Sequence, residues 1–348
     1  MFRIRLCLSA AFIFAIVACV GGQDPKKPAD PKPADPKPAD PKPADGKRFE
    51  PMFAKDKKFY QEVTTEVEQI IKVQGQDLAQ KQSSTFWFEW TPTEQKPDGK
   101  WLVKQKVEGL KMTIDISGNL ITFDSSKPDS PTSGNPGLNE FFKKLVGAEF
   151  TPTIDKSYKV ESVAGRTEFV KSIGAGNPQL DGLLNKIMTD DALKQMCDPT
   201  LGIVPDASKK VGDTWERDTK LDLGPIGKYD LKYKFKYAST DKDIDKIEVE
   251  PVLTYTAPKD NPEGLLFRIK SGNLTQPPLA PGEQPAKGTI LYNSKTGQIE
   301  SAEIKIKLRG ELTVTIGGTD TKVELSQTQT TSFKGSSEKS FKPAAPKP

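Results

Sequence analysis

The 348-residue chain contains no histidine. This absence excludes Ser-His-Asp and Cys-His nucleophile systems, histidine metal ligands, and any side chain whose unperturbed pKa lies near neutrality. The charge balance is also small, because 51 Lys and Arg residues stand against 47 Asp and Glu residues, a net charge of +4. Such a balance is not typical of a nucleic-acid-binding protein. We therefore expect a protein that is not an enzyme and has no cofactor, metal or nucleic-acid partner.

Cysteine is scarce as well, with three residues in the chain. Cys7 and Cys19 lie in or beside an N-terminal apolar segment, so Cys197 is left alone in the rest of the chain. No intramolecular disulfide is then available, and no histidine could activate Cys197 as a nucleophile. Because Cys197 follows a helical pattern of apolar residues, we interpret it as a small buried hydrophobic side chain.

The N-terminus has the features of a secretion signal over residues 1–18. Arg3 and Arg5 form a basic region, and the apolar run Leu6–Ala18 follows. Thirteen residues are too few to cross a hydrocarbon core of about 30 Å as a helix. The segment therefore predicts export.

The signal ends in Ile16-Val17-Ala18-Cys19, which resembles a bacterial lipobox. The resemblance implies acylation of Cys19 and attachment to a membrane, and Val20 after the cysteine favours the outer membrane. The alternative is ordinary signal cleavage near Gly22, which would give a soluble periplasmic or secreted protein. We predict an outer-membrane-anchored lipoprotein.

Proline-rich sequence dominates residues 19–45, where a five-residue repeat of Lys, Pro, Ala and Asp begins at Lys27. Proline blocks helix and sheet, so this segment predicts an extended tether, and its balanced charges make it a neutral spacer. The polar segment 334–348 predicts a disordered tail.

Residues 46–333 predict a β-rich folded body. Alternation of apolar and polar residues is clearest in Leu231–Tyr237, in Ala302–Arg309 and in Phe86–Trp90. This period of two is typical of antiparallel strands with one buried face. The predicted fold is mainly β (α+β): a large curved antiparallel sheet or open half-barrel with a few helices on its concave face.

Two segments predict the helices. Leu138, Phe141, Phe142 and Leu145 follow helical spacing within residues 136–147. A longer apolar stripe with the same spacing occupies residues 178–197.

Acidic residues offer the remaining route to chemistry. Asp241, Asp243 and Asp245 alternate as in a calcium loop, but Lys246 and Val252 stand where an EF-hand requires Gly and Glu. We interpret this segment as a polar hairpin. The pair Asp190-Asp191 lies between helical runs, where it would cap the second helix. A carboxylate-based hydrolase stays open as the least favoured function.

Two sets of side chains are candidate surfaces for ligands. Aromatic residues on alternating faces would line an apolar cavity or fill a core: Phe86, Phe88, Trp90, Tyr233, Phe235 and Tyr237. Basic residues on the opposite faces would form one surface against anionic lipid if their strands were neighbours, or else simply solvated strand faces: Lys232, Lys234, Lys236, Lys305, Lys307 and Arg309.

Two motifs carry a family resemblance: Val211-Gly212-Asp213-Thr214-Trp215 before a pair of strands, and the closing run from Gly288 to Leu308. On these residues the body resembles domain of unknown function 6263, an uncharacterised family of exported bacterial proteins. The signal, tether and tail resemble those of planctomycete envelope proteins. The family implies no activity. At the level of fold, the body is similar to the half-barrels of bacterial lipoprotein carriers and receptors, which shelter acyl chains.

These features predict an exported protein held to the membrane by acylated Cys19. The favoured function is a binding module for lipid, lipoprotein or another apolar ligand. The alternative is a structural or protein-interaction component of the cell surface, whose partner would be an envelope protein.

Overall fold

The computed structural model describes residues 46–49, 52–127, 136–174, 178–201, 205, 207–259, 267–278, 285–316 and 318–343. The predicted signal, the predicted acylation site Cys19 and the predicted tether all lie outside the described residues.

Thirteen strands within these ranges form one antiparallel sheet, as the alternating sequence predicts. The strands are β1 (Phe59–Val73), β2 (Gln76–Gln95), β3 (Trp101–Ile116), β4 (Asn119–Asp124), β5 (Glu149–Ile154), β6 (Val160–Ala164), β7 (Thr214–Asp222), β8 (Lys228–Asp241), β9 (Ile244–Thr256), β10 (Phe267–Thr275), β11 (Gly288–Asn293), β12 (Gln298–Ile316) and β13 (Thr319–Ser336).

The order across the sheet is β6-β5-β3-β2-β1-β13-β12-β10-β9-β8-β7. Strand β4 pairs with β3 at the side, and β11 pairs with both β12 and β9. Strands β10 and β11 thus share the space between β9 and β12, each pairing with a different part of these longer neighbours.

A row of apolar residues crosses one face of this sheet, which is called the inward face below. The register joins Phe86 on β2 to Val63, Phe333, Ala302, Ile290, Ile247 and finally Tyr237 on β8. Because side chains alternate along a strand, a row that stays in register keeps its residues on the same side of the sheet. Burial of this row confirms the predicted pattern of one buried and one polar face.

Four helices occur among the described residues: α1 (Pro136–Leu145), α2 (Arg166–Gly174), α3 (Pro178–Ile187) and α4 (Asp190–Leu201). The short α2 was not predicted, since its nine residues carry only a brief apolar stripe. Helix α4 is capped by Thr189, whose hydroxyl accepts the Ala192 amide at 3.1 Å, and not by the acidic pair that follows.

The helices lie where the sheet curls round towards itself. Helix α4 contacts both edge strands, β6 and β7. Its Cys197 is fully buried, as predicted, with the sulfur 3.6 Å from the Gln105 side chain on the inward face of β3. From the β5–β6 turn, the Tyr158 hydroxyl donates to the Gly297 carbonyl in the β11–β12 turn. The sheet is therefore a curled half-barrel with helices between its edges. No helix in the described ranges has the length and apolarity needed to cross a membrane.

The predicted tail from Lys334 begins inside β13, which continues to Ser336. Beyond the strand, Phe341 is buried, and its ring centroid lies 5.2 Å from that of Trp87 on the outer face of β2. Lys339 forms an ion pair with the buried Glu108 on β3. The prediction of disorder is therefore wrong for residues 334–341, because an aromatic residue and a lysine in a polar segment meet complementary groups on the sheet.

Replacing Phe341 with alanine should lower the free energy of unfolding by about 2 kcal/mol, less than the roughly 3–5 kcal/mol of a fully enclosed phenylalanine. The ring covers Gly109, where a β-carbon would come within 2.4 Å of it. Chemical denaturation of F341A measures the loss, and K342A at the exposed neighbour is the control. Equal stability of the two variants would mean that the C-terminal segment does not hold to the sheet in solution.

Candidate functional site

A block of polar side chains occupies the middle of the inward face, on the neighbouring strands β13, β1 and β2. The register sets them in three rows: Gln327–Gln69–Gln80, then Gln329–Val67–Gln82, then Thr331–Thr65–Ser84. The eight polar residues of these rows are called the polar island. Each is at most 6% exposed, so the island faces the interior of the protein.

Apolar residues border the island on all four sides. On β12 the adjoining positions are Ile304, Ile306 and Leu308, and on β3 they are Met112, Ile114 and Ile116. Ile71 and Leu325 close one end; Val63, Phe86 and Phe333 close the other. With strands about 4.8 Å apart and like-facing residues about 6.8 Å apart, the island measures roughly 10 by 14 Å.

Few hydrogen bonds satisfy the island. The Gln329 amide donates to the Thr331 hydroxyl at 3.1 Å, and the Thr65 and Thr331 hydroxyls lie 3.5 Å apart. Among the described residues, both polar atoms of Gln69, Gln80 and Gln82 have no hydrogen-bond partner. The same holds for the Ser84 hydroxyl and the Gln327 carbonyl oxygen.

Partnerless buried amides are rare, since more than about 90% of buried polar groups in native proteins are hydrogen-bonded. Each one costs roughly 1–3 kcal/mol when nothing replaces the water it has lost. Five such side chains, clustered on three adjacent strands, form a surface that can donate to and accept from a bound molecule. All of them are uncharged.

Sequence reasoning missed the island, although a signal was present. Gln80, Gln82 and Ser84 follow each other at every second position, as do Gln327, Gln329 and Thr331. This is the strand period carried by polar residues, whereas the search for strands follows apolar ones.

A second buried polar cluster holds the segment that leads into the body, and we call it the stalk clamp. Its centre is Asp245, which is fully buried and accepts a 2.6 Å hydrogen bond from the Tyr237 hydroxyl. The Lys47 ammonium lies 2.7 and 2.8 Å from the two carboxylate oxygens of Asp245. Two backbone hydrogen bonds of 2.9 Å also join Lys47 to Lys209.

Aromatic rings complete the stalk clamp around Phe49, which is 3% exposed. Its ring centroid lies 5.3 Å from that of Tyr292, 5.6 Å from that of Tyr237 and 6.3 Å from that of Trp215. The clamp therefore fixes where the residues before the body join it, beside β7, β8 and β11.

The stalk clamp should make the stability of the protein depend on pH in the alkaline range. Burial, and then the hydrogen bond to Asp245, raise the pKa of Tyr237 from 10.0 to about 12. A raised pKa means that the folded state favours the neutral phenol. The stabilisation is complete below pH 10 and is lost as the pH rises through 12.

We expect the wild-type protein to lose up to about 2 kcal/mol more than Y237F between roughly pH 9 and pH 12. Chemical denaturation at both pH values measures this difference, and the subtraction removes the contributions of the other tyrosines. Identical losses in the two proteins would show that folding does not raise the pKa of Tyr237.

The six aromatic residues predicted to line a cavity or fill a core lie on the inward face and are 0–8% exposed. The Phe86 and Phe88 rings stack with centroids 5.8 Å apart, and those of Tyr233 and Phe235 do so at 5.6 Å. Trp90 stacks on Phe59 at 5.8 Å and donates to Gln61 at 3.0 Å. The two groups lie on β2 and β8, so the sheet separates them by several strands.

The six basic residues do not form one surface, because β8 and β12 are not neighbours, which was the condition for such a surface. Strands β8 and β12 are separated by β9 and by the strands β10 and β11, which share the space between β9 and β12. Directly opposite Lys234 and Lys236 lie Glu250 and Glu248 of β9, and Lys232 forms a 2.8 Å ion pair with Glu216 of β7. Lys305, Lys307 and Arg309 lie on the outer face of β12. Whether these basic residues share one surface depends on the order of the strands in the sheet, which the alternation within each strand does not predict.

The acidic residues considered for metal binding or hydrolysis also lie apart. Asp241 and Asp243 are exposed at the β8–β9 hairpin, which confirms the predicted hairpin, whereas Asp245 is in the stalk clamp. Asp190 and Asp191 are exposed on α4. Asp190 lies 3.8 Å from Arg166, and Asp191 lies 3.0 Å from Lys194. No cluster of three potential metal-binding side chains occurs in the part of the chain that the structure describes.

The two motifs of the family resemblance have structural roles. Gly212 lies in a turn with φ of +98°, which a residue with a β-carbon rarely adopts, and β7 begins at Thr214. Trp215 then stacks on Phe235 with centroids 5.3 Å apart. The second motif is the β11–β12 hairpin, whose turn ends at Gly297.

Comparison with known proteins gives a family and weak structural likenesses. No curated protein sequence matches the chain. A lipovitellin structure concerned with lipid–protein interactions is 11% identical with a TM-score of 0.41, over 86% of this chain. This chain spans only 27% of that one.

Two further likenesses are to bacterial proteins. Pseudomonas aeruginosa OccK5 is 8% identical with a TM-score of 0.18, over 83% of this chain and 99% of its own length. Acinetobacter baumannii OccAB4 is 7% identical with a TM-score of 0.19, over 84% of this chain and 100% of its own length. TM-scores this low do not establish a shared fold.

The sequence match is firmer. Residues 98–276, just over half of the chain, match the family described as "Family of unknown function (DUF6263)". This range includes β3 through β10 and all four described helices, together with the turn that precedes Trp215. The chain therefore belongs to the DUF6263 family.

Proposed function

We propose that this protein is a non-enzymatic, lipid-anchored protein of the bacterial envelope that binds a lipid, a lipoprotein or another apolar ligand on the inward face of its sheet. The observation that carries the proposal is the polar island. The side-chain amides of Gln69, Gln80 and Gln82 are shielded from solvent, yet no described protein group satisfies them. An interior with this deficit is better explained by a bound partner than by a finished core.

The anchor in this proposal comes from the sequence, through the lipobox at Cys19 and the tether that follows it. The stalk clamp supports a tethered arrangement. Lys47 and Phe49 are held by an ion pair, two backbone hydrogen bonds and aromatic packing, so the tether would join the body at a defined point. A body held in this way would keep a constant orientation relative to its own attachment point.

Native mass spectrometry of the full chain, released from membranes with a mild detergent, tests the binding function. We expect a non-covalent adduct of a few hundred daltons or more, which leaves the protein as collision energy increases. Covalent acylation of Cys19 would persist under the same conditions and serves as an internal reference. The proposal would be contradicted if no preparation showed an adduct other than covalently attached acyl groups.

Near-complete burial of the inward aromatic residues favours a second candidate, a structural or protein-interaction component of the cell surface. A filled core also produces exposures of 0–8% for these side chains. Crosslinking in intact cells would then recover the same envelope protein in repeated experiments. Recovery of no recurrent partner would count against this candidate.

A further inference from the structure

We propose that the polar island selects a neutral amphiphile, namely a molecule whose uncharged hydroxyl, ester or amide groups are joined to hydrocarbon, such as an acylglycerol. This inference rests on the proposed function and names the class of ligand. It predicts discrimination against anionic phospholipids with the same acyl chains.

The hydrogen-bonding capacity of the island suits such groups. Each primary amide of Gln69, Gln80 and Gln82 offers two donor hydrogens and one acceptor oxygen, and the Ser84 hydroxyl offers both functions. Glycerol hydroxyls can donate to the amide oxygens, while ester or amide carbonyls can accept from the amide nitrogens. A ligand with both kinds of group would satisfy atoms that are now partnerless.

Charge is absent from the island and from every position that borders it. A phosphate placed there would be desolvated with no cation beside it, which is strongly unfavourable. The ion pair between Lys47 and Asp245 cannot supply this cation, because Lys47 is already paired. Asp245 also lies on β9, which is separated from the island by β12 and by the strands β10 and β11.

Hydrocarbon has a matching place on both sides of the island. The row of Ile304, Ile306 and Leu308 follows one side, and the row of Met112, Ile114 and Ile116 follows the other. Acyl chains that extend from a polar group on the island would meet one or both of these rows. The arrangement is polar at its centre and apolar at its borders, which is the pattern of an amphiphile with a compact neutral head.

Entry requires opening, because the island is closed to solvent in this structure. Partnerless amides raise the free energy of the closed, unliganded state. A ligand that bonds to them removes this penalty and shifts the population towards the liganded state. We therefore expect slow association, limited by opening, and an affinity that depends on the amides.

The test compares 1-oleoylglycerol with 1-oleoyl-lysophosphatidylglycerol, which share an acyl chain and differ in charge. Both are titrated against the full chain in neutral detergent and followed by native mass spectrometry. We expect the neutral lipid to bind wild-type protein at least about tenfold more tightly. Equal or stronger binding of the anionic lipid would overturn the inference without any variant being needed.

The variant Q69M/Q80M/Q82M keeps unbranched side chains of similar length but removes the amides. We expect its affinity for 1-oleoylglycerol to fall at least about tenfold, while Q95M, a change of an exposed glutamine on the same strand, leaves it unchanged. Unchanged affinity in the triple variant would also overturn the inference. Equal binding of both lipids, unaffected by the substitutions, would leave the proposed function intact, whereas binding of neither lipid to wild-type protein would remove both.

Discussion

Replacing Cys19 with serine should move the protein from the membrane fraction to the soluble fraction. The hydroxyl of serine cannot form the thioether that carries the diacylglyceryl group in a lipidated cysteine. Two or three acyl chains bind a membrane stably, since each buried methylene contributes about 0.8 kcal/mol, whereas the neutral tether adds no charge attraction. The expected effect is a near-complete change of fraction.

Ultracentrifugation of lysates at moderate salt measures the distribution, and mass spectrometry of the N-terminal peptide reports the acyl groups. C197A is the control, because this cysteine is buried on α4 and should leave anchoring unchanged. If C19S protein stayed with the membranes to the same extent as wild type, acylation at Cys19 would be refuted. The binding function would not be affected by that result.

The triple variant Q69M/Q80M/Q82M should be more stable than wild type when no ligand is bound. At about 1 kcal/mol for each amide released from an unsatisfied buried position, the free energy of unfolding should rise by roughly 3 kcal/mol. For a body of this size, that corresponds to an increase in Tm of about 6 °C. If the amides were hydrogen-bonded to other protein groups, the same substitutions would instead lower stability, because each would leave its partner unsatisfied.

Delipidated protein is the sample for this measurement, with thermal and chemical denaturation monitored by circular dichroism and Q95M again as control. Addition of 1-oleoylglycerol should stabilise the wild type more than the variant and so reduce the difference between their free energies of unfolding. A loss of stability in the delipidated variant would mean that bound water or other groups already satisfy the amides, and the island would then be a structural network.

Local pattern was sufficient for much of the fold. The alternation in Leu231–Tyr237 predicted which side chains of β8 are buried, since side chains of a strand point to opposite faces in turn. Glycine and asparagine in short polar segments predicted the hairpins, and the apolar spacing of residues 178–197 predicted α3 and α4. The family suggested by two short motifs is confirmed by a match over residues 98–276, which contains the motif at Val211–Trp215 but not the one at Gly288–Leu308.

The functional surfaces were much less predictable. Six basic residues on two alternating strands would form one patch only if these strands were neighbours. Strand β9, with Glu248 and Glu250, lies between them. Conversely, Gln69, Gln80 and Gln327 come from separate parts of the sequence and lie side by side in one row. Phe341 looked like part of a polar tail and instead covers Gly109.

The lipobox-like segment that ends at Cys19, from which the anchor is proposed, and the period of each strand are properties of short stretches of sequence, and the strand period indicates the β architecture. Which strands become neighbours depends on contacts between residues far apart in the chain. That choice places eight polar side chains together on the inward face and leaves three glutamine amides without partners. The polar island, and with it the proposed ligand, exists only in the assembled sheet, because burial and strand order together create it.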